Sequence, residues 1–203
     1  MKKKYFKNNR GYTIVETMIS ISIFLILIMT GMATLMNAFS VHKKSQNIRS
    51  AIDNLSFIIE DMSRNLRTGT QYYCLDFTDV NFSNINTSKS SLIDGGVRRK
   101  CWGIAFEAAE GGSSVDDQWI YYLDGAGAVQ RSVDGGNNSI PLTPSEVKLS
   151  TVSGFYVVGA EPSLSDDQQP LVKIILVGSI TERGVASPFS LETTVSSRVV
   201  DTF

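Results

Sequence analysis

Glu16 is an ionisable residue at the edge of a long apolar run, for residues 17–41 contain no Asp, Glu, Lys, Arg or His. A carboxylate beside hydrocarbon is costly unless water or a cation reaches it, so its place asks for a partner or an interface. Just before it stand five cations, Lys2, Lys3, Lys4, Lys7 and Arg10, with no anion among them. Other reactive types are few. His42 is the only histidine, and beside Lys43 and Lys44 at the end of the run it marks a membrane interface rather than a general base. The patterns of a nucleophile elbow, a phosphate loop or a zinc-protease helix do not occur, and no catalytic residue or cofactor is assigned. Asp116-Asp117, Asp134-Gly-Gly-Asn-Asn138 and Asp166-Asp167 offer oxygens but lack EF-hand spacing, and they read as solvated loops. Arg98-Arg99-Lys100 reads as an exposed basic turn.

These residues have to be positioned by longer elements. The 25 uncharged residues 17–41 are enough to cross roughly 30 Å of hydrocarbon as a helix. The run is too long for the apolar core of an ordinary secretory signal. Lysines before it stay on the cytoplasmic side and send the rest of the chain outward. In an exported body Cys74 and Cys101, the only cysteines, read as a disulfide; two buried free thiols are the alternative. Closing 28 residues would contribute about 3.6 kcal/mol in the chain-entropy model. No histidine lies near them and a zinc site wants four ligands, so no metal is assigned.

Taken together, the basic leader, Gly11, Tyr12, Thr13-Ile14-Val15, Glu16 and the apolar run resemble the N-terminal signal of type IV pilins and type II secretion pseudopilins. The resemblance implies that a prepilin peptidase cuts between Gly11 and Tyr12 and methylates the new Tyr12 amine. It implies that Glu16 is the family's assembly glutamate. Tyr12 departs from the commoner phenylalanine but keeps an aromatic at the cut. A carboxylate four residues from an exposed amine is a natural ion partner in a low dielectric, within one subunit or between an incoming subunit and one already docked.

Beyond the run, Ile48, Ile52, Leu55, Ile59, Met62 and Leu66 keep one apolar stripe while Arg49, Asp53, Glu60 and Arg64 lie off it, which predicts that the helix continues to Arg67. Thr68-Gly69 supplies a stop. The stripe fits packing on a downstream sheet better than a coiled-coil seam, having at most three heptads. Residues 118–123 and 128–133 around Asp124-Gly-Ala-Gly127 predict a hairpin, and residues 155–158, 171–180 and 189–200 predict further strands. The expected fold is α+β: a long N-terminal helix, transmembrane in its first half, packed on an antiparallel β-sheet head as in pilins.

The expected organisation is a leader at 1–11, a transmembrane and assembly half-helix at 12–41, an amphipathic half at 42–67 and a β-rich extracytoplasmic head at 68–203. Net charge is −1, but residues 12–203 hold 14 basic and 20 acidic residues, and residues 68–203 hold 9 against 16. That sign argues against a nucleic-acid footprint. The stretches 55–67 and 189–198 are similar to J-type pseudopilins and W-type minor pilins. Major pilins often carry a proline in the first helix, whereas none occurs here before Pro141. The resemblance therefore implies a minor subunit that primes or caps a filament, with the prepilin peptidase, other pilins or pseudopilins, an inner-membrane assembly platform and membrane lipid as partners. It places the chain as a single-pass inner-membrane protein before assembly and in a filament afterwards. A pilus-tip binding module, adhesin or DNA receptor, is the second reading, and a membrane-tethered enzyme the third.

Overall fold

The computed structural model describes residues 11–76, 82, 88–109, 111, 114–161, 168–182 and 185–198. The leader cations Lys2, Lys3, Lys4, Lys7 and Arg10, the pair Asp166-Asp167, and Val199 and Val200 of the last expected strand lie outside the described residues. The chain divides into two compact units, Met1–Gln46 and Asn47–Phe203. One helix, α1 (Ile14–Thr68), contributes to both and runs through Gly31 without a break.

In the first unit the apolar run of α1 is fully exposed. Its hydroxyls are spent on the helix itself: Ser20 Oγ donates to Glu16 O at 2.8 Å, Ser22 Oγ to Met18 O at 2.8 Å and Thr34 Oγ1 to Thr30 O at 2.9 Å. Thr17, Thr30 and Ser40 bond back in the same way. A hydroxyl satisfied by its own helix carries little penalty into hydrocarbon.

In the second unit α1 buries Ala51, Leu55, Ile58, Met62 and Leu66. Leu55, Met62 and Leu66 belong to the expected stripe, whereas Ile48, Ile52 and Ile59 flank it half-buried. The shift has a physical cause. The line of contact passes over Ala51, whose small side chain lets the helix approach its neighbours closely, and a stripe read from large residues alone misses it. Thr68 ends the helix, and the next residue has to be glycine because a Cβ on Gly69 would stand 2.4 Å from the Phe106 ring. The terminal carbonyls are capped from outside the helix: Tyr72 Oη donates to Leu66 O and Arg198 N to Arg67 O.

The strands are β1 (Thr70–Leu75), β2 (Ile93–Asp94), β3 (Val97–Arg98), β4 (Gly103–Glu107), β5 (Trp119–Leu123), β6 (Val129–Ser132), β7 (Ile140–Pro141), β8 (Val147–Leu149), β9 (Gly154–Val158), β10 (Leu171–Glu182) and β11 (Val185–Ser196). All strand pairs are antiparallel. One sheet runs β1-β4-β5-β6-β7; a second runs β11-β10-β8, with β9 beside β8 along the same side of β10; β2 and β3 form a separate hairpin. Ile58, Met62 and Leu66 of α1 share one core with Phe106 and Tyr121 of the first sheet and Phe155, Ile174 and Val195 of the second. The architecture is therefore α+β, a long N-terminal helix followed by antiparallel sheets.

The β5–β6 hairpin turns on Asp124, whose Oδ1 accepts from Ala126 N at 2.9 Å and Ala128 N at 2.8 Å. Gly127 has φ +81°, and a Cβ there would meet Leu149 O at 2.8 Å, so the position excludes a side chain twice over. Along β11 and the residue after it the alternation holds: Phe189, Leu191, Thr193, Val195 and Ser197 lie inward of their exposed neighbours.

Candidate functional site

The N-terminal start of α1 is built by Thr13. Its carbonyl accepts the first helical bond, from Thr17 N at 3.2 Å, and its Oγ1 accepts from Glu16 N at 3.3 Å. Thr13 is therefore the N-cap, and Glu16 stands at the third helical position, where a carboxylate also suits the helix dipole. Thr13-x-x-Glu16 is a capping-box pattern that was legible in the sequence but overshadowed by the charge argument for Glu16. Gly11 and Tyr12 precede the helix in an exposed, irregular stretch. Among the described residues nothing lies within 4 Å of where a Cβ on Gly11 would project. The structure thus brings Gly11, Tyr12 and Glu16 within two turns of one exposed helix end. Cys74 and Cys101 lie in the other unit.

Cys74 in β1 and Cys101, two residues before β4, are joined by a disulfide with Cα atoms 5.3 Å apart. Both are buried. Cys101 also exchanges two backbone bonds with Phe155 of β9, at 2.7 and 3.1 Å. One residue thus links β1 covalently to the β4 segment and links that segment by hydrogen bonds to the second sheet.

The Asp134 and Asp124 carboxylates are committed to their own turns. Asp134 Oδ1 accepts from Asn138 N at 2.9 Å and Ser132 Oγ at 2.7 Å, and these donors, the Asn138 backbone first, hold the carboxyl below its usual range. Burial works against the Asp124 carboxylate, but donation from Ala128 N, Gln130 Nε2 and Ala126 N outweighs it and lowers that group too. Among the described residues no group of three or more His, Cys, Asp or Glu is placed to hold a metal. Arg98 and Lys100 are not free turn residues as the sequence suggested. Arg98 Nη1 donates to Ser91 O at 3.2 Å and Lys100 Nζ to Ser153 O at 3.1 Å. His42 is exposed and meets Gln46 one turn on, at 3.1 Å.

Glu107 is the buried acid that sequence reading missed, because a carboxylate inside the run Gly-Ile-Ala-Phe-Glu gives no signal of its own burial. It is 6% exposed. Gln118 Nε2 donates to its Oε1 at 2.8 Å, while Oε2 has no hydrogen-bond partner among the described residues. Burial, opposed by the Gln118 bond and aided by the Asp117 charge, raises its pKa. The folded state then holds this proton more tightly than the unfolded chain, so Glu107 lowers stability as pH rises through its unfolded pKa towards its folded one. Glu107→Gln is expected to raise the unfolding midpoint at pH 7 to 8, with the difference closing as pH falls to about 4. Parallel thermal melts across that range check it. A pH-independent difference would assign the effect to packing instead.

The comparisons with known proteins agree with the N-terminal geometry. Residues 6–32 match the model described as the prokaryotic N-terminal methylation motif. The matched segment contains Gly11, Tyr12, Thr13, Glu16 and residues 17–32 of the apolar run, and residues 33–203 lie outside it. No curated protein and no solved structure matched the chain.

Proposed function

We propose that this chain is a minor structural subunit of a type IV pilus or type II secretion pseudopilus, processed by a prepilin peptidase and assembled through α1 to prime or cap the filament. The observation that carries the reading is the methylation motif at residues 6–32 standing on the end of a helix whose apolar run is wholly exposed. A run of that length left uncovered needs a solvent other than water. Lipid supplies it before assembly, with the helix crossing the inner membrane once and the body outside the cytoplasm. Neighbouring pilin helices, delivered by the assembly platform, supply it afterwards.

The chemistry follows from the helix end. Cleavage after Gly11 leaves a cationic Tyr12 amine, which the peptidase methylates, four residues from the Glu16 carboxylate. As an incoming helix enters the bundle, Glu16 neutralises the amine of the subunit already docked. The apolar side chains slide past one another, and the charge pair fixes their register. Cys74–Cys101 serves the body, holding β1 and the β4 segment as one block outside the membrane. The mass of the native N-terminus tests the reading: the chain should begin at Tyr12 and carry one added methyl group.

A further inference from the structure

The β2–β3 hairpin carries a cluster of exposed aliphatic side chains. Leu92, Ile93 and Val97 are 45%, 64% and 69% exposed, three large aliphatic side chains within six residues. The hairpin is closed by Gly95 and Gly96, at φ +57° and +82°, with Ile93 opposite Arg98 and Asp94 opposite Val97. Val152, 63% exposed, lies in the turn whose carbonyls receive Lys100. Scattered single aliphatics are ordinary on a surface, whereas a cluster on one hairpin is a contact feature.

The hairpin is also held ready. Arg99 N donates to Leu92 O at 2.7 Å across its base, Arg98 Nη1 reaches Ser91 O, and Cys101 follows at once with the disulfide. Such anchoring removes ordering cost from binding. Its charge is the second observation. Arg98, Arg99 and Lys100 are three of the nine cations in residues 68–203, which hold 16 acids. Lys89, Arg131 and Lys173 of the same region pair with Asp76, Asp61 and Glu192, whereas among the described residues none of the three hairpin cations pairs with a carboxylate.

We propose that this hairpin docks on the head of a neighbouring filament subunit, on a surface that is apolar at its centre and rimmed by carboxylates. The aliphatics fill the centre, and Arg99, the exposed cation of the three, meets the rim. A head with the charge balance of residues 68–203, nine cations against 16 acids, supplies such a rim. The inference rests on the filament reading, because it takes its neighbour from that reading.

The test uses the full chain in its own cells, with a photo-crosslinking residue at position 93 and, in a second strain, at position 97. Crosslinked products are mapped by mass spectrometry, and sheared filaments are quantified beside them. The expected product joins the hairpin to a peptide of a pilin head containing Asp or Glu. Arg99→Glu should lower its yield about tenfold, while Lys148→Glu, a charge reversal elsewhere on the head, should not. Filaments that contain the chain but give no such product, a product with lipid, or a yield indifferent to Arg99→Glu would overturn the inference alone. Absence of the chain from filaments would strike the filament reading first.

Discussion

Glu16→Gln is expected to abolish incorporation into filaments while leaving the protein folded, exported and disulfide-bonded. The substitution keeps the shape of the side chain and removes its charge, so the Tyr12 amine of the neighbouring subunit would sit unpaired in a low dielectric. Breaking a buried ion pair by removing one partner costs about 3 to 5 kcal/mol, enough to reduce occupancy of the docked state by more than a hundredfold. The Thr13 cap sharpens the test. Gln serves a capping box as well as Glu does, so a Glu16 that merely finished the helix would tolerate Gln. Thr13→Ala removes the cap and keeps the charge, and should cost about 1 kcal/mol of helix stability with assembly largely retained. Glu16→Asp, one methylene short, should retain part of the function. Complementation of a deletion strain, scored by sheared filaments against membrane levels of protein, separates these cases. Normal incorporation of the Gln variant away from the filament tip would remove charge pairing from the mechanism.

Loss of the disulfide is expected to give the largest effect on stability. The bond closes 28 residues, for which the chain-entropy model gives about 3.6 kcal/mol, or a fall in melting midpoint of about 10 °C for a body of this size. Two features of the structure argue that the cost is not absorbed by relaxation: Cys74 and Cys101 are both buried, and Cys101 is held from the far side by its two bonds to Phe155. The double variant Cys74→Ser, Cys101→Ser should melt lower by that amount and become more sensitive to protease. In the exported wild type, alkylating reagent should label neither cysteine until the protein is reduced under denaturing conditions. Quantitative labelling without reductant, or an unchanged midpoint in the double variant, would remove the disulfide from the account of the head and leave the filament reading standing.

The N-terminal half of the account was legible because it is written in composition. An uncharged run of 25 residues, a cluster of lysines and one acid between them survive any detail of folding. The β5–β6 hairpin was legible for a similar reason: Asp124 and Gly127 are residues whose chemistry fixes a turn locally. The strand β4 was not. Gly103–Glu107 is buried at every position, so it lacks the alternation that marks a half-exposed strand. Its partner β1 carries a register shift between Thr70 and Tyr73, with Gln71 at φ 52°, which blurs the period further. The helix stripe was read one position off through Ala51 because a small residue in a contact leaves no hydrophobic signal. Lys100 is rooted on the carbonyl of Ser153, 53 residues on, and no local pattern announces that contact or the burial of Glu107.

The filament reading requires that the peptide bond between Gly11 and Tyr12 be cut and that Tyr12 become the modified N-terminus of an assembling subunit. Gly11→Ala, by adding a side chain where the enzyme must approach the backbone closely, should slow the cut and let precursor accumulate. The direct measurement is intact-mass and N-terminal peptide spectrometry of the chain isolated from native membranes and sheared filaments. The account predicts a chain that starts at Tyr12, heavier than the bare sequence by one methyl group on the α-amine, in both fractions. A chain in both fractions that still begins at Met1, or one cut beyond the apolar run, would contradict it.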